Sequence, residues 1–331
     1  MATAISVYSS GSAKVFAQEN ISVSRDLANI KLRTTPSEFI KKKKFAKVFG
    51  SKMAYFESGK GNPIVFLHGN PTSSFLWRNV IPHVEEFGRC IAPDLIGMGD
   101  SDKLAPSDAS RYHFAEHYNY LEELLRKIGV EKNVILMVHD WGGSLGFEWA
   151  SRNPEKVKGL VFMETFIVSQ NAQNTPPQVS NWFKAFRTPE REKQILEENY
   201  FVEKVLLRQF PKMSDEDKAE YRRPFLEKGE ARRPTIVFPR QVPLDGEPKD
   251  VHEKVSAHLE WMAKNDIPKL FIKGEPGGLI QGGRERICRA WKNITEVSVK
   301  GNHYLPEESP VEVGQAIAEW VEKLSKKVEK V

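Results

Sequence analysis

Short, almost wholly apolar runs alternate along the chain with longer amphipathic stretches. Such runs are typical of strands buried on both sides of a sheet, and the amphipathic stretches are typical of helices. The apolar runs lie at residues 64–67, 89–92, 134–138, 160–163, 270–272 and 297–299, and the helical stretches at 115–128, 144–152, 284–291 and 310–326. This alternation predicts the α/β class, with a mostly parallel sheet that helices cover on both faces.

The alternation stops between residues 168 and 255. This region instead carries proline-marked, helix-like pieces and many aromatic side chains. We therefore expect a helical lid at residues 168–255, inserted into one core that comprises residues 37–167 and 256–331. Residues 1–36 are rich in Ser and Ala and poor in acidic side chains. They predict a disordered or loosely docked arm, with an organellar presequence as the alternative.

Composition narrows the class of protein. The 331 residues carry a formal charge of only +5, and the dense basic run at residues 41–44 is interpreted as a solvated approach to the first strand. No nucleic-acid-binding signature is present, and no apolar run reaches the roughly 18 residues of a membrane span. Cys90 and Cys288 are isolated, which favours a reducing compartment and buried thiols. We expect a cytoplasmic monomer that binds neither nucleic acid nor metal.

The strongest chemical signal is Asp140, which follows the apolar run 134–138 and precedes the helical stretch 144–152. A strand, a sharp turn and a helix form a nucleophile elbow, which presents one side chain above the sheet edge. A carboxylate there attacks carbon directly and forms an ester. The indole N–H of Trp141 is a donor without acceptor capacity. An Asp that merely caps the helix is the structural alternative, and the two roles are compatible.

Two further turns contribute candidate groups. The turn at residues 68–71 follows the first apolar run, so its backbone N–H groups and the Asn70 amide can point toward the same edge as Asp140. From this motif alone, a turn-forming Asn70 is an equally good interpretation. His303 follows the last apolar run, where a neutral imidazole can direct water onto an ester.

Two carboxylates compete to orient His303. Glu164 follows the run 160–163, and Glu275 follows the run 270–272. Both lie at the end of a predicted strand, and the pattern alone does not choose between them. The glycine pair at residues 97–99 lacks the following Gly and Lys of a phosphate loop, which disfavours a phosphate-binding role for this turn.

Several motifs resemble those of the haloalkane dehalogenases of the α/β-hydrolase superfamily. They are residues 67–74 (LHGNPTSS), 94–102 (DLIGMGDSD), 139–142 (HDWG) and 301–303 (GNH), with 232–235 (RRPT) and 239–243 (PRQVP) in the predicted lid. The resemblance runs from about residue 45 to the C-terminus. It implies an α/β-hydrolase fold, and a hydrolase that converts small hydrophobic haloalkanes into alcohol, halide and a proton without a cofactor.

The resemblance also implies roles for individual residues. It implies Asp140 as nucleophile, His303 as base and Glu164 as acid, with Asn70 and Trp141 binding halide. Glu275 then becomes a supporting residue. The implied substrate pocket is lined by Phe183, Phe201, Val205, Phe238, Pro239, Val242, Leu279 and Tyr304.

One rival shares these motifs. Coelenterazine-dependent luciferases of the sea-pansy type belong to the same family and use coelenterazine with O2. They carry Asp where this chain has Trp182, and paired Phe where it has Gly278 and Leu279. The pocket motifs therefore favour the dehalogenase, with luciferase activity, or both activities, as the alternative. A non-catalytic binding protein would have lost one of the five implied site residues, and none is lost.

Overall fold

The computed structural model describes residues 33–171 and 175–328. The predictions for residues 1–32 therefore lie outside the described part of the chain. Residues 33–36, which we expected to belong to the N-terminal arm, lie within the described part. The backbone N–H of Thr34 donates to the Asn79 side chain at 2.8 Å, and Thr35 caps the first helix with a capping box.

The strands of the described residues form one sheet in the order β1-β2-β4-β3-β5-β6-β7-β8. β1 pairs antiparallel with β2, and β2 with β4, whereas the other neighbours are parallel. The strands are β1 (Lys43–Val48), β2 (Ser51–Ser58), β3 (Pro63–Leu67), β4 (Arg89–Pro93), β5 (Val134–Asp140), β6 (Val157–Thr165), β7 (Lys269–Pro276) and β8 (Ile294–Gly301). Every residue of β3 and β5 is buried, as expected for central strands covered on both faces.

Helices follow most of the parallel strands. The α-helices are α1 (Pro36–Lys41), α2 (Phe114–Lys127), α3 (Trp141–Arg152), α4 (Pro177–Ala185), α5 (Pro189–Glu198), α6 (Asp215–Arg222), α7 (Pro234–Gln241), α8 (Lys249–Lys264), α9 (Gly283–Arg289), α10 (Leu305–Glu308) and α11 (Pro310–Val328). A π-helical segment, Phe201–Leu206, precedes short 3-10 turns. None of the described helices is long and apolar enough to cross a bilayer.

The chain between β6 and β7 contributes helices and turns to one end of the sheet. The two ends of this insertion are held together at its base: Gln170 N–H donates to Pro243 O, and Asp245 N–H donates to Gln170 O, both at 2.9 Å. The proposed lid boundary at residues 255/256 falls inside α8, which is one continuous helix from Lys249 to Lys264. α8 packs on α3 and thereby connects the insertion to the core.

Candidate active site

Asp140 lies at the end of β5, immediately before α3. Its backbone has φ 51° and ψ −128°, a conformation that L-residues rarely adopt and that aims the side chain away from the strand direction. The turn is possible because its neighbours are small. A Cβ at Gly142 would overlap the backbone of Leu67, and one at Gly69 would overlap the Asp140 carboxylate. The elbow therefore needs glycine at both positions.

Backbone donors hold the Asp140 carboxylate. The N–H of Asn70 donates to Asp140 Oδ1 at 2.8 Å, and the N–H of Trp141 also hydrogen-bonds this carboxylate. Burial raises the pKa of Asp140, but His303 and these donors outweigh burial and lower it below its ordinary value. Asp140 is thus an anion at neutral pH, although it is almost fully buried.

His303 lies between two carboxylates. Its Nε2 is 3.6 Å from Asp140 Oδ2, and its Nδ1 is 3.6 Å from Glu164 Oε2. Burial lowers the pKa of His303, but the two anions more than compensate and raise it to about 9. In the resting site the imidazole is therefore protonated at neutral pH.

The structure distinguishes the two candidate acids. Glu164 is buried, and its Oε2 accepts the backbone N–H groups of Gly278 at 2.8 Å and Leu279 at 2.6 Å. Glu275 has a side chain that is 55% exposed and lies 3.5 Å from Lys273 Nζ. Only Glu164 of the two lies against His303.

Asn70 and Trp141 lie beside Asp140 at one end of an apolar cavity. Asn70 Nδ2 donates to the carbonyl oxygen of Thr235 at 3.1 Å, which leaves its second amide hydrogen for a ligand. The indole of Trp141 is stacked on Phe238 with a centroid separation of 5.3 Å. Two fixed N–H donors near a carboxylate suit an anion that forms during a reaction.

The cavity has a volume of about 400 Å³, which suits a small organic ligand. Among the described residues, its walls include seven of the eight pocket residues that the resemblance implied: Phe183, Phe201, Val205, Pro239, Val242, Leu279 and Tyr304. The walls also include Trp182 and Gly278, two positions at which the luciferases differ. The lining residues that were not foreseen are Phe166, Gln178, Val179, Phe186 and Gln209.

Phe238 is the one predicted pocket residue that does not line the cavity, so its expected position in the cavity wall is corrected. Its fully buried ring stacks on Trp141 and, at 4.1 Å, on His117. It therefore supports the indole from behind and does not line the cavity. Its helix, α7, also carries Thr235, so the same turn of chain supports both Asn70 and Trp141.

Two polar residues near His303 have contacts that the sequence did not predict. His139 donates from Nε2 to the carbonyl oxygen of His303 at 2.7 Å. Glu308 accepts hydrogen bonds from the backbone on both sides of His303. No cluster of His, Cys, Asp or Glu in residues 33–171 and 175–328 could hold a metal ion.

A strand-end carboxylate on a sharp elbow, a histidine after the last strand and a carboxylate facing that histidine define an α/β hydrolase with an acidic nucleophile position. The sequence profile of the alpha/beta hydrolase fold family matches residues 62–310.

Similarity to known proteins identifies the family within this class. A haloalkane dehalogenase of Sphingobium indicum is 48% identical over 286 residues, covering 85% of this chain and 96% of the relative. A haloalkane dehalogenase of Mycolicibacterium smegmatis is 46% identical over 283 residues, covering 85% and 91%. The crystal structure of haloalkane dehalogenase DbeA from Bradyrhizobium elkani superposes with a TM-score of 0.81 at 37% identity, covering 86% and 99%. The chain belongs to the haloalkane dehalogenase family of the α/β hydrolases.

Proposed function

We propose that the protein hydrolyses carbon–halogen bonds of small hydrophobic haloalkanes to alcohol, halide and a proton. The observation that carries the proposal is the Asp140 carboxylate, anionic and held by backbone donors, at the inner end of an apolar cavity. Such a carboxylate is a carbon nucleophile, because it needs no deprotonation and meets little competing water.

In the first step, the free oxygen of Asp140 attacks the halogen-bearing carbon. A C–O bond forms as the C–halogen bond breaks, and the bonding pair leaves with the halide. The N–H groups of Trp141 and Asn70 stabilise the departing ion in the water-poor cavity. The product is an alkyl ester of Asp140.

In the second step, water attacks the ester carbonyl carbon. His303 removes the proton from water, and Glu164 stabilises the imidazolium that results. The oxygen Oδ1 carries the charge of the tetrahedral intermediate and is stabilised by the N–H of Asn70. Collapse passes the remaining hydroxyl proton to the departing alkoxide, which releases the alcohol and restores the Asp140 carboxylate. His303 keeps the proton it took from water and so returns to its charged resting form, and the product proton is the one that His303 gives up to solvent when the ester forms.

The chemistry requires that His303 be neutral in the second step. In the resting site it is charged because Asp140 and Glu164 raise its pKa. Alkylation converts Asp140 into a neutral ester and removes one of these anions, so the pKa of His303 falls as the ester forms. Asp140 therefore attacks the substrate while His303 is charged, and the ester is hydrolysed while His303 is neutral.

The test compares bromide and butanol release from 1-bromobutane by the wild-type protein and by Asp140→Asn. Equimolar bromide and butanol from the wild type, with none from the variant, are expected. A rate for Asp140→Asn equal to that of the wild type would refute Asp140 as the nucleophile. Asp266→Asn, which makes the same change at an exposed carboxylate outside the cavity lining, is the matched control.

Luciferase activity remains a prediction of the resemblance alone. Trp182, Gly278 and Leu279, at which the luciferases differ, all line the cavity. Light emission with coelenterazine, measured on the same preparation as bromide release, decides between the two activities. Emission without bromide release would favour the luciferase over the dehalogenase.

We further propose that the protein acts in the cytoplasm as a monomer without a nucleic-acid partner. The small formal charge and the two isolated cysteines support this proposal. Light scattering at micromolar concentration tests the oligomeric state, and a stable dimer would contradict it.

A further inference from the structure

The backbone around His303 is held by one carboxylate. Glu308 Oε2 accepts the backbone N–H of Asn302 at 2.8 Å and its side-chain Nδ2 at 3.1 Å. The other oxygen, Oε1, accepts the backbone N–H of Tyr304 at 3.0 Å. The two oxygens of Glu308 therefore bind the residues immediately before and after the base.

A second contact acts on His303 itself. Its carbonyl oxygen accepts from His139 Nε2 at 2.7 Å. Because a carbonyl can only accept, Nε2 of His139 must carry the hydrogen. Burial, together with the nearby His303, lowers the pKa of His139 to about 3, so this ring is a fixed neutral donor.

The imidazole ring of His303, by contrast, is held loosely by its carboxylate neighbours. Both ring nitrogens lie 3.6 Å from the nearest carboxylate oxygen, which is longer than a hydrogen bond. The direction of the ring is therefore determined mainly by where the backbone places it. Hydrogen bonds that backbone N–H groups donate to an ionised carboxylate are strong enough to fix such a loop.

We propose that Glu308 is a positioning residue for the hydrolytic step, an inference that rests on the proposed function. Glu308 accepts the N–H groups on both sides of His303 and thereby keeps the imidazole within reach of water at the Asp140 ester. Glu308 lies at the end of α10 and is not among the residues that line the cavity. Attack by Asp140 on the halogen-bearing carbon needs no base, so the first step does not depend on Glu308.

Because only the hydrolytic step needs His303, a loss of positioning should slow that step alone, whereas general structural damage should slow both steps. In Glu308→Ala the loop loses three hydrogen bonds. We expect the alkylation rate to stay unchanged, while the ester decays about 10–100-fold more slowly, the usual cost of a misplaced catalytic group. Glu308→Gln keeps one accepting oxygen and should recover part of the rate.

Rapid-quench mixing with 1-bromobutane measures both steps, since bromide reports alkylation and ester mass reports hydrolysis. Glu312→Ala removes an exposed carboxylate of the next helix and is the matched control. Cooperative unfolding of each variant is checked by circular dichroism. If Glu308→Ala does not fold, the nearly isosteric Glu308→Gln decides. Unchanged ester decay, or equal slowing of both steps, would overturn the inference.

A second readout does not depend on turnover. The ring protons of His303 titrate in NMR spectra, with a midpoint near pH 9 expected in the wild type. A ring that moves away from Asp140 and Glu164 loses stabilisation of its charge, so Glu308→Ala should titrate lower. Absence of bromide release from the wild type would refute the proposed function, whereas an unchanged His303 titration in Glu308→Ala would refute the positioning role.

Discussion

Replacing Asp140 by Asn imitates the charge change that alkylation causes, because the amide is neutral and nearly the same shape as the carboxylate. We expect this variant to lower the pKa of His303. Removing an anion next to an imidazolium disfavours the charged form, so the sign of the shift is downward. Glu164 stays in place and keeps part of the stabilisation.

The magnitude follows from the separation of 3.6 Å between His303 Nε2 and Asp140 Oδ2. At an effective dielectric constant of about 20, two unit charges at that distance interact by roughly 4–5 kcal/mol, or about three pKa units. Delocalised charge and the 21% exposure of the His303 side chain reduce the effect. We therefore expect the midpoint to fall from about 9 to about 7.

Proton NMR titration of His303 in the wild type and in Asp140→Asn measures the shift directly. His303→Gln identifies the resonance. A midpoint in Asp140→Asn that stays near 9 would refute the account of how the base becomes neutral. The ester state should behave as the variant does, so ester decay should decline below about pH 7 and not below pH 9.

The remaining predictions concern the halide site, a buried ion pair and the N-terminal boundary. Trp141→Phe keeps the ring on Phe238 but loses the N–H, so single-turnover bromide release should slow about 10²–10³-fold; an unchanged rate would exclude the indole as a donor. Arg78→Ala leaves Glu307 buried without its bidentate partner and should cost about 3–5 kcal/mol of unfolding free energy in a denaturant titration, whereas an unaltered midpoint would contradict this. Deleting residues 1–32 should leave turnover and Tm intact, while deletion through residue 36 removes the Thr35 cap and should lower Tm; equal Tm values would contradict that boundary.

The buried parallel strands could be predicted from the sequence because their apolar runs are continuous. The six predicted strands correspond to β3 through β8. β1 was missed because most of its residues are exposed or half-buried and because residues 41–44 look like a solvated basic run. β2, which lies between β1 and β4, was missed although its residues 53–56 form a buried run. Lys43 is in fact buried, with Nζ 2.7 Å from Asp94 and 2.5 Å from Asp100. A charge pattern does not reveal which lysine has buried partners.

The meeting of Asp140, His303 and Glu164 was predictable because each follows a strand, and the ends of parallel strands meet at one edge of the sheet. The choice between Glu164 and Glu275 was not predictable from the pattern, since it depends on which carboxylate faces His303. Phe238 was misplaced because the motif gives its helix but not the face on which its ring packs. Glu308 carries no motif signal, as its contacts are with backbone atoms.

We propose that Asp140 forms a covalent bond with substrate and that His303 is needed only to break it. Mixing His303→Phe with 1-bromobutane and measuring intact mass, followed by peptide mapping, tests both parts of this proposal. We expect one added butyl group per chain, located on Asp140 and stable over minutes. A protein that releases bromide without gaining mass, or that carries the butyl group on another residue, would contradict it.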